Sequence, residues 1–233
     1  MIIGILQTDV LADQVVQRYG SYVDMFETLL SAADAQLAFK TYHVKQDEYP
    51  NDIHDCDVYL ITGSKSSSYE DIDWIHRLKQ FVVECLEQDK KLLGICFGHQ
   101  LIAQALGGRV EKSDKGWGVG MASSKVTQAP NWLVPEQQQF NLLVNHQDQV
   151  TQLPPQASLI ATNEFCPIAS YQVNSSILTF QGHPEFSREY LHHLMTKRRQ
   201  IIGEQAYQQG IQSLEQTVDH ELVAKWIVNF IKD

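Results

Sequence analysis

The spacing of apolar positions changes along the chain, and each change marks an element. Ile2 to Leu6 is a short apolar run, the pattern of a buried strand. Residues 7–20 hold no sustained period and read as a polar connection. Tyr22, Val23, Phe26, Leu29, Leu30 and Ala33 then recur at helical spacing. Residues 37–44 alternate like a strand. Residues 57–62 form another, which closes on Gly63-Ser64-Lys65-Ser66-Ser67-Ser68. Trp74, Ile75, Leu78, Phe81, Val82, Cys85 and Leu86 mark an amphipathic helix. Leu92 to Ile95 is again a short apolar run. Leu101, Ile102, Ala105 and Leu106 follow at helical spacing and end on Gly107-Gly108. Over residues 1–107 the order β-α-β-β-α-β-α predicts a mostly parallel sheet covered by helices.

The second half has a different texture. Short strands are predicted over 121–126, 140–144, 158–161 and 168–173, separated by turns such as Leu153-Pro154-Pro155, and they read as a strand-rich extension of the same sheet. Residues 177–182 form a strongly apolar strand that ends on His183-Pro184-Glu185. A helix is expected over 188–202, and a last one carries Leu222, Val223, Trp226, Ile227, Phe230 and Ile231 on one side. Residues 203–217, rich in glutamine, have the weakest pattern and read as a mobile excursion. With no repeat, linker or break in composition, residues 1–233 are expected to form one domain.

Charge narrows the function classes. Eighteen basic against 28 acidic residues give a net charge of −10, which argues against a nucleic-acid-binding surface. No apolar run approaches the ~18 residues of a membrane span. The first residues lack a basic region and read as a strand rather than a signal peptide. Cys56, Cys85, Cys96 and Cys166 are widely spaced with no C-x-x-C pair, so zinc, redox-motif and disulfide-framework readings fail and a reducing cytoplasm is the expected location. No cofactor and no metal are expected. No G-x-G-x-x-G or G-x-x-x-x-G-K-[ST] occurs, so phosphate binding has no support.

One stretch stands out. Gly94-Ile95-Cys96-Phe97-Gly98 lies between a predicted strand and a predicted helix, the thiol counterpart of the serine nucleophile elbow. The sharp turn forces the middle residue into a strained backbone, and side chains two positions either side would collide. A helix N-terminus also favours thiolate. Read alone, Cys96 is equally well a small buried residue, as most free cysteines are. A thiol nucleophile needs a base, and the base an orienting group. His183 and Glu185 stand at the end of a buried strand, where reactive groups gather in α/β sheets. Pro184 keeps the chain between them out of a helix. Cys96 as nucleophile, His183 as base then acid and Glu185 as orienter would follow the logic of the serine triad. Taken singly, His183 is more readily a strand-end histidine capping a loop. The backbone N–H groups of Phe97 and of the Gly63-Ser64 turn are candidate oxyanion donors, since both follow strands expected to be neighbours.

Gly94-Ile95-Cys96-Phe97-Gly98-His99-Gln100 followed about ninety residues later by Gln181-Gly182-His183-Pro184-Glu185 resembles the class I (triad) glutamine amidotransferase family. Residues 145–154 (N-H-Q-D-Q-V-T-Q-L-P) are similar to the S-H-x-D-x-V-x-x-L-P stretch of the GMP synthetase glutaminase domain, and Ile61-Thr62-Gly63-Ser64 falls where that family has S-G-G or S-N-G. The resemblance covers nearly the whole chain. It implies an α/β, flavodoxin-like three-layer sandwich, mostly parallel, with a strand-rich extension. It also implies hydrolysis of a γ-glutamyl amide through a γ-glutamyl thioester. Gln100 matches the family glutamine that contacts substrate, and Gly63, Asn145, His146 and Gln147 fall in the segments that grip it. Ser64 and Phe97 would supply the oxyanion hole. The implied partners are glutamine or another γ-glutamyl compound and an ammonia-accepting synthetase. Two features depart from the pattern. No synthetase domain accompanies the glutaminase-like segment, and the oxyanion segment reads Gly-Ser-Lys where the family commonly has Gly-Gly-Pro. Both resemble stand-alone members similar to γ-glutamyl peptidases, so a γ-glutamyl peptide hydrolase stands beside the glutaminase reading. A silent regulatory domain is a third reading, against which the intact triad argues. Residues 115–120 (K-G-W-G-V-G) resemble a glycine-rich segment of such proteins and are expected as a loop near the pocket mouth.

Overall fold

The computed structural model describes all 233 residues. Five parallel strands form the first part of one sheet: β1 (Ile2–Gln7), β2 (Ala38–His43), β3 (Val58–Ile61), β4 (Lys91–Ile95) and β11 (Ile177–Phe180). They lie in the order β2-β1-β3-β4-β11. The sheet continues antiparallel through β10 (Ser170–Val173), β9 (Ala157–Thr162), β6 (Gly118–Val126) and β7 (Gln139–His146). This is the mostly parallel sheet with a strand-rich extension that the apolar pattern predicts. The pattern did not reveal β5 (Arg109–Lys112) and β8 (Asp148–Gln152), which pair with each other outside the main sheet. Each buries essentially one apolar side chain, Val110 and Val150, so neither has a run to detect.

Alternation along the parallel strands sends side chains to two faces. Ile3, Ile5, Val58, Leu60, Leu93 and Ile95 pack with α2 (Tyr22–Ala33) and α8 (His220–Lys232). Leu6, Tyr59, Ile61 and Leu92 pack with α3 (Asp73–Glu87) and α4 (Phe97–Ala105). The result is three layers. A capping box starts α2: the Ser21 side chain accepts from the Asp24 N–H, and the Asp24 carboxylate accepts from the Ser21 N–H at 2.7 Å. Trp226 anchors α8. It is fully buried, meets the Phe140 ring edge-to-face at 5.3 Å, and donates its indole N–H to the Pro135 carbonyl at 3.0 Å. No helix is long and apolar enough to cross a membrane.

Three expectations need correction. The connection 7–20 contains α1 (Asp13–Tyr19), which buries only Val15 and therefore shows no period. The helix expected over 188–202 breaks at Arg198 into α5 (Arg188–Lys197) and α6 (Arg199–Ile202). The weakly patterned segment 203–217 is no excursion: it holds α7 (Glu204–Ser213), packed against β6. Small residues let the two approach. A Cβ on Gly120, which has φ +92°, would lie 2.7 Å from the Gly210 Cα, and the Met121 N–H donates to the Ser213 hydroxyl at 2.8 Å. A helix seated on glycine and serine leaves little apolar signature.

Candidate active site

The carboxyl ends of β3, β4 and β11 are neighbours, and the expected reactive groups gather there. β4 delivers Cys96 as the residue immediately before α4, with φ 52° and ψ −97°. Such backbone costs about 1–3 kcal/mol and persists only where the surroundings hold it. The flanking glycines are required by close approach. A Cβ on Gly94 would fall 2.5 Å from Ile102 Cδ1, and one on Gly98 would fall 2.5 Å from the Ile61 carbonyl oxygen. The Ile61 carbonyl belongs to the last residue of β3, so the same contact fixes the elbow against the Thr62–Ser64 turn.

Beyond Phe180 the chain leaves β4. The Gln181 N–H donates to the Ala169 carbonyl at 2.9 Å and the His183 N–H to the Leu143 carbonyl at 2.8 Å, which carries His183 toward β7. The strand therefore ends two residues earlier than its apolar run. Across Pro184, His183 Nδ1 lies 2.7 Å from Glu185 Oε1, with both side chains buried. A carboxylate only accepts, so the Nδ1 proton is donated to it and Nε2 is left without that partner. The Phe186 ring stacks on the imidazole at 3.8 Å and 8°. The position of a Cβ on Gly63 lies 3.1 Å from His183 Cε1 and 3.9 Å from Cys96 Cβ, so turn, base and thiol share one small space.

Three buried histidines show what the carboxylate does. Burial pushes His99 down to about 3 and His146 down to about 4, and both are neutral at pH 7. Burial acts on His183 in the same direction, but the Glu185 carboxylate and the neighbouring Cys96 thiol outweigh it and lift the imidazole to about 10. An imidazolium is thus favoured at one position only, the one beside the cysteine.

Cys96 opens into a cleft of about 380 Å³, lined also by Ser64, Gln100, Asn145, His146 and Gln147. Of the residues expected to grip substrate, four reach this cleft, and Gly63 sits against its base. Gln100 is more constrained than expected. Its side-chain NH2 donates to the Asp148 carbonyl at 2.7 Å and to Gln181 Oε1 at 3.0 Å, so only its oxygen is left to face a ligand. Asn145 is the reverse case: its side-chain oxygen and nitrogen are buried without a partner at the cleft wall. Buried polar atoms are nearly always paired, and an amide with both ends open is a ready donor and acceptor. His146 donates Nδ1–H to the Asp148 carbonyl at 2.9 Å and lines the cleft as a neutral ring. A larger cavity, about 780 Å³, shares Trp117 and His146 with the cleft but contains none of Cys96, His183 or Glu185.

The turn expected to hold the oxyanion donor is tethered on two sides. The Thr8 hydroxyl donates to the Gly63 carbonyl at 2.8 Å, the Ser64 hydroxyl to the Thr8 carbonyl at 3.1 Å, and the Lys65 N–H to Asp9 Oδ2 at 3.2 Å. From the other side, Asp148 accepts from the Ser67 hydroxyl and from the Tyr69 hydroxyl at 3.1 Å. Sequence reasoning quoted Asp148 only as part of a motif and missed this clamp. It also missed Arg198 and Lys112, which line the cleft from distant elements. The glycine-rich segment divides: Lys115 to Trp117 form a loop with Trp117 at the cleft, while Gly118 to Gly120 belong to β6.

Comparison with known proteins places the fold in a family. A family model described as glutamine amidotransferase class-I matches residues 14–201. A glutamine amidotransferase-like protein of Schizosaccharomyces pombe is 31% identical over 98% of both chains. Gamma-glutamyl peptidase 3 of Arabidopsis thaliana is 29% identical over 94% of this chain and 91% of its own. Among solved structures, a glutamine amidotransferase from Thermotoga maritima superposes with a TM-score of 0.76 at 16% identity, covering 99% of this chain and 95% of that one.

Proposed function

The chain belongs to the glutamine amidotransferase class-I family, and we propose that it hydrolyses a γ-glutamyl amide with Cys96 as nucleophile. The observation that carries this reading is the 2.7 Å His183–Glu185 pair set beside a cysteine on a strained elbow. In this reading the Cys96 thiolate attacks the side-chain carbonyl carbon of the substrate. The resulting oxyanion is held by the Ser64 and Phe97 N–H groups; Phe97 is the first residue of α4, where N–H groups lack helical acceptors. The carbon–nitrogen bond then breaks, the leaving nitrogen takes the His183 proton, and a γ-glutamyl thioester remains. Water gives a proton to His183 and adds to the thioester, releasing glutamate and restoring the thiolate.

The α-ammonium and α-carboxylate of the glutamyl group are assigned to the open ends of Gln100 and Asn145 and to the His146-Gln147 strand end, with Gly63 leaving room beside His183. Glutamine is the simplest such substrate, with ammonia as product and a synthetase as its acceptor. The similarity to gamma-glutamyl peptidase 3 supports a second reading, a γ-glutamyl peptide hydrolase. Residues 1–233 would act as one domain. Four free thiols suit a reducing compartment such as the cytoplasm. The test is ammonia release from glutamine and amine release from γ-glutamyl dipeptides, with Cys96→Ala as control. Turnover that survives Cys96→Ala refutes the covalent mechanism.

A further inference from the structure

The charges around the cleft run against the charge of the chain. The protein carries ten more acidic than basic residues, yet three cations, Lys65, Lys112 and Arg198, line a cleft whose one acid is Asp148. The Asp148 carboxylate is already engaged by the Ser67 and Tyr69 hydroxyls. Lys65 is paired with Asp9 at 3.4 Å. Lys112 and Arg198 have no carboxylate within ion-pair distance, although acids outnumber bases elsewhere on the surface. Arg198 sits at the break between α5 and α6, half-buried, with its guanidinium carbon 5.9 Å from the centre of the Trp117 ring. An arginine over an aromatic face keeps its planar fork presented for a carboxylate.

Free glutamine is neutral overall, with one carboxylate and one ammonium, and does not call for two unpaired cations beyond the groups that hold its amino-acid end. A γ-glutamyl peptide with a free C-terminus carries a second carboxylate on the leaving side. From this charge pattern we infer that Arg198, supported by Lys112, binds the C-terminal carboxylate of a γ-glutamyl peptide and selects the leaving group. The inference rests on the hydrolase reading above and narrows it: the preferred substrate is a γ-glutamyl peptide that ends in a free acid. Cys96 cleaves the same γ-amide bond, His183 protonates the departing amine, and the amino acid or peptide leaves with its carboxylate still on the arginine side of the cleft. A cleft with an excess of cations also concentrates such anions, so part of the preference fades with salt.

The test uses the purified chain with γ-glutamylglycine, its C-terminal amide and glutamine. Wild type is expected to hydrolyse the acid with kcat/KM at least about tenfold above the amide, the low end of what one charge-assisted hydrogen bond gives. Arg198→Gln should bring the acid-to-amide ratio close to one, mainly through KM, and Arg198→Lys should restore part of it. The ratio is measured on one preparation, so loss of folded protein cancels. Raising salt from 50 to 500 mM should narrow the wild-type ratio. Equal hydrolysis of acid and amide by wild type, or a ratio unmoved by Arg198→Gln, overturns the inference and leaves the hydrolase reading intact. No turnover of any of the three, with Cys96 unreactive to a glutamine-like chloroketone, overturns both.

Discussion

Glu185→Gln isolates the charge that distinguishes His183 from its buried neighbours. The substitution keeps size and burial but removes the carboxylate 2.7 Å from Nδ1. His99 and His146 show where a buried imidazole not hydrogen-bonded to a carboxylate settles, at about 3 and about 4, whereas His183 is lifted to about 10. Without Glu185 the largest raising cause is gone and only Cys96 is left to oppose burial, so the His183 pKa should fall well below its wild-type position. Each unit by which it falls is about 1.4 kcal/mol of imidazolium stabilisation. The amide adds a second fault. Its NH2 can donate to Nδ1, moving the proton to Nε2 and removing the base from the side that faces the thiol. By the logic of triads, kcat should fall by roughly 10³–10⁴. The assay is kcat/KM for the best γ-glutamyl substrate from pH 5 to 10.5, with NMR titration of the histidine Cε1–H signals. If the leaving nitrogen takes the His183 proton as proposed, wild type should lose activity as pH rises through about 10; in Glu185→Gln that limb moves to acid. Stability should follow the same sign. A pKa raised on folding contributes fully below roughly 6.5 and is lost as pH climbs toward 10, so the wild-type melting temperature should decline over that window and the variant's should not. A Glu185→Gln enzyme within tenfold of wild type, with an unshifted alkaline limb, would refute this account.

A glutamine-like chloroketone should label Cys96 and spare the rest: burial pushes Cys166 up to about 12 and Cys85 higher still, and Cys56 is buried against the Tyr42 hydroxyl. Equal labelling of all four, read by peptide mass spectrometry, would refute an activated thiolate. His99 makes the opposite contribution to that of His183: burial lowers its pKa on folding, so stability is lost as pH falls from roughly 6.5 toward 3, by several kcal/mol at most. His99→Gln should flatten the acid side of a denaturant-midpoint profile. Trp226→Ala removes a fully buried indole and its hydrogen bond and should cost about 3–5 kcal/mol in urea unfolding, with little change in kcat for the protein that remains folded.

What was legible in the sequence was local. Gly94, Cys96 and Gly98 are spaced by the geometry of one turn, and His183 and Glu185 by the width of one proline, so five residues announce their own arrangement. Four of the parallel strands, β1, β3, β4 and β11, were legible because burial on both faces writes a continuous apolar run, whereas β2, at the sheet edge, shows only alternation. Elements that bury one residue, such as α1, β5 and β8, write nothing comparable. α7 escaped because its closest approach to β6 is made by Gly210 and Ser213, which add nothing to the apolar pattern of Ala206, Tyr207 and Ile211. Arg198 escaped for another reason. In sequence it is one charge in a basic run with Lys197 and Arg199, and only the break between α5 and α6 turns it toward Trp117 and the cleft.

Asp148 connects these parts. Its carbonyl accepts from Gln100 on the elbow helix and from His146 on the substrate side, while its carboxylate accepts from Ser67 and Tyr69 beyond the oxyanion turn. A residue so placed ties together the elbow helix, the end of β7 and the loop beyond Ser64. Removing only the carboxylate, as Asp148→Asn does, leaves the carbonyl bonds in place and loosens the Ser67–Tyr69 end of the turn. If the turn acts by holding the Ser64 N–H where charge develops, kcat should fall by roughly tenfold or more while labelling of Cys96 stays near wild type, because the thiol's own surroundings are untouched. If Asp148 merely keeps the loop folded, labelling and kcat should fall together with thermal stability. The two outcomes separate a clamp that tunes the transition state from a tie that only stabilises a loop.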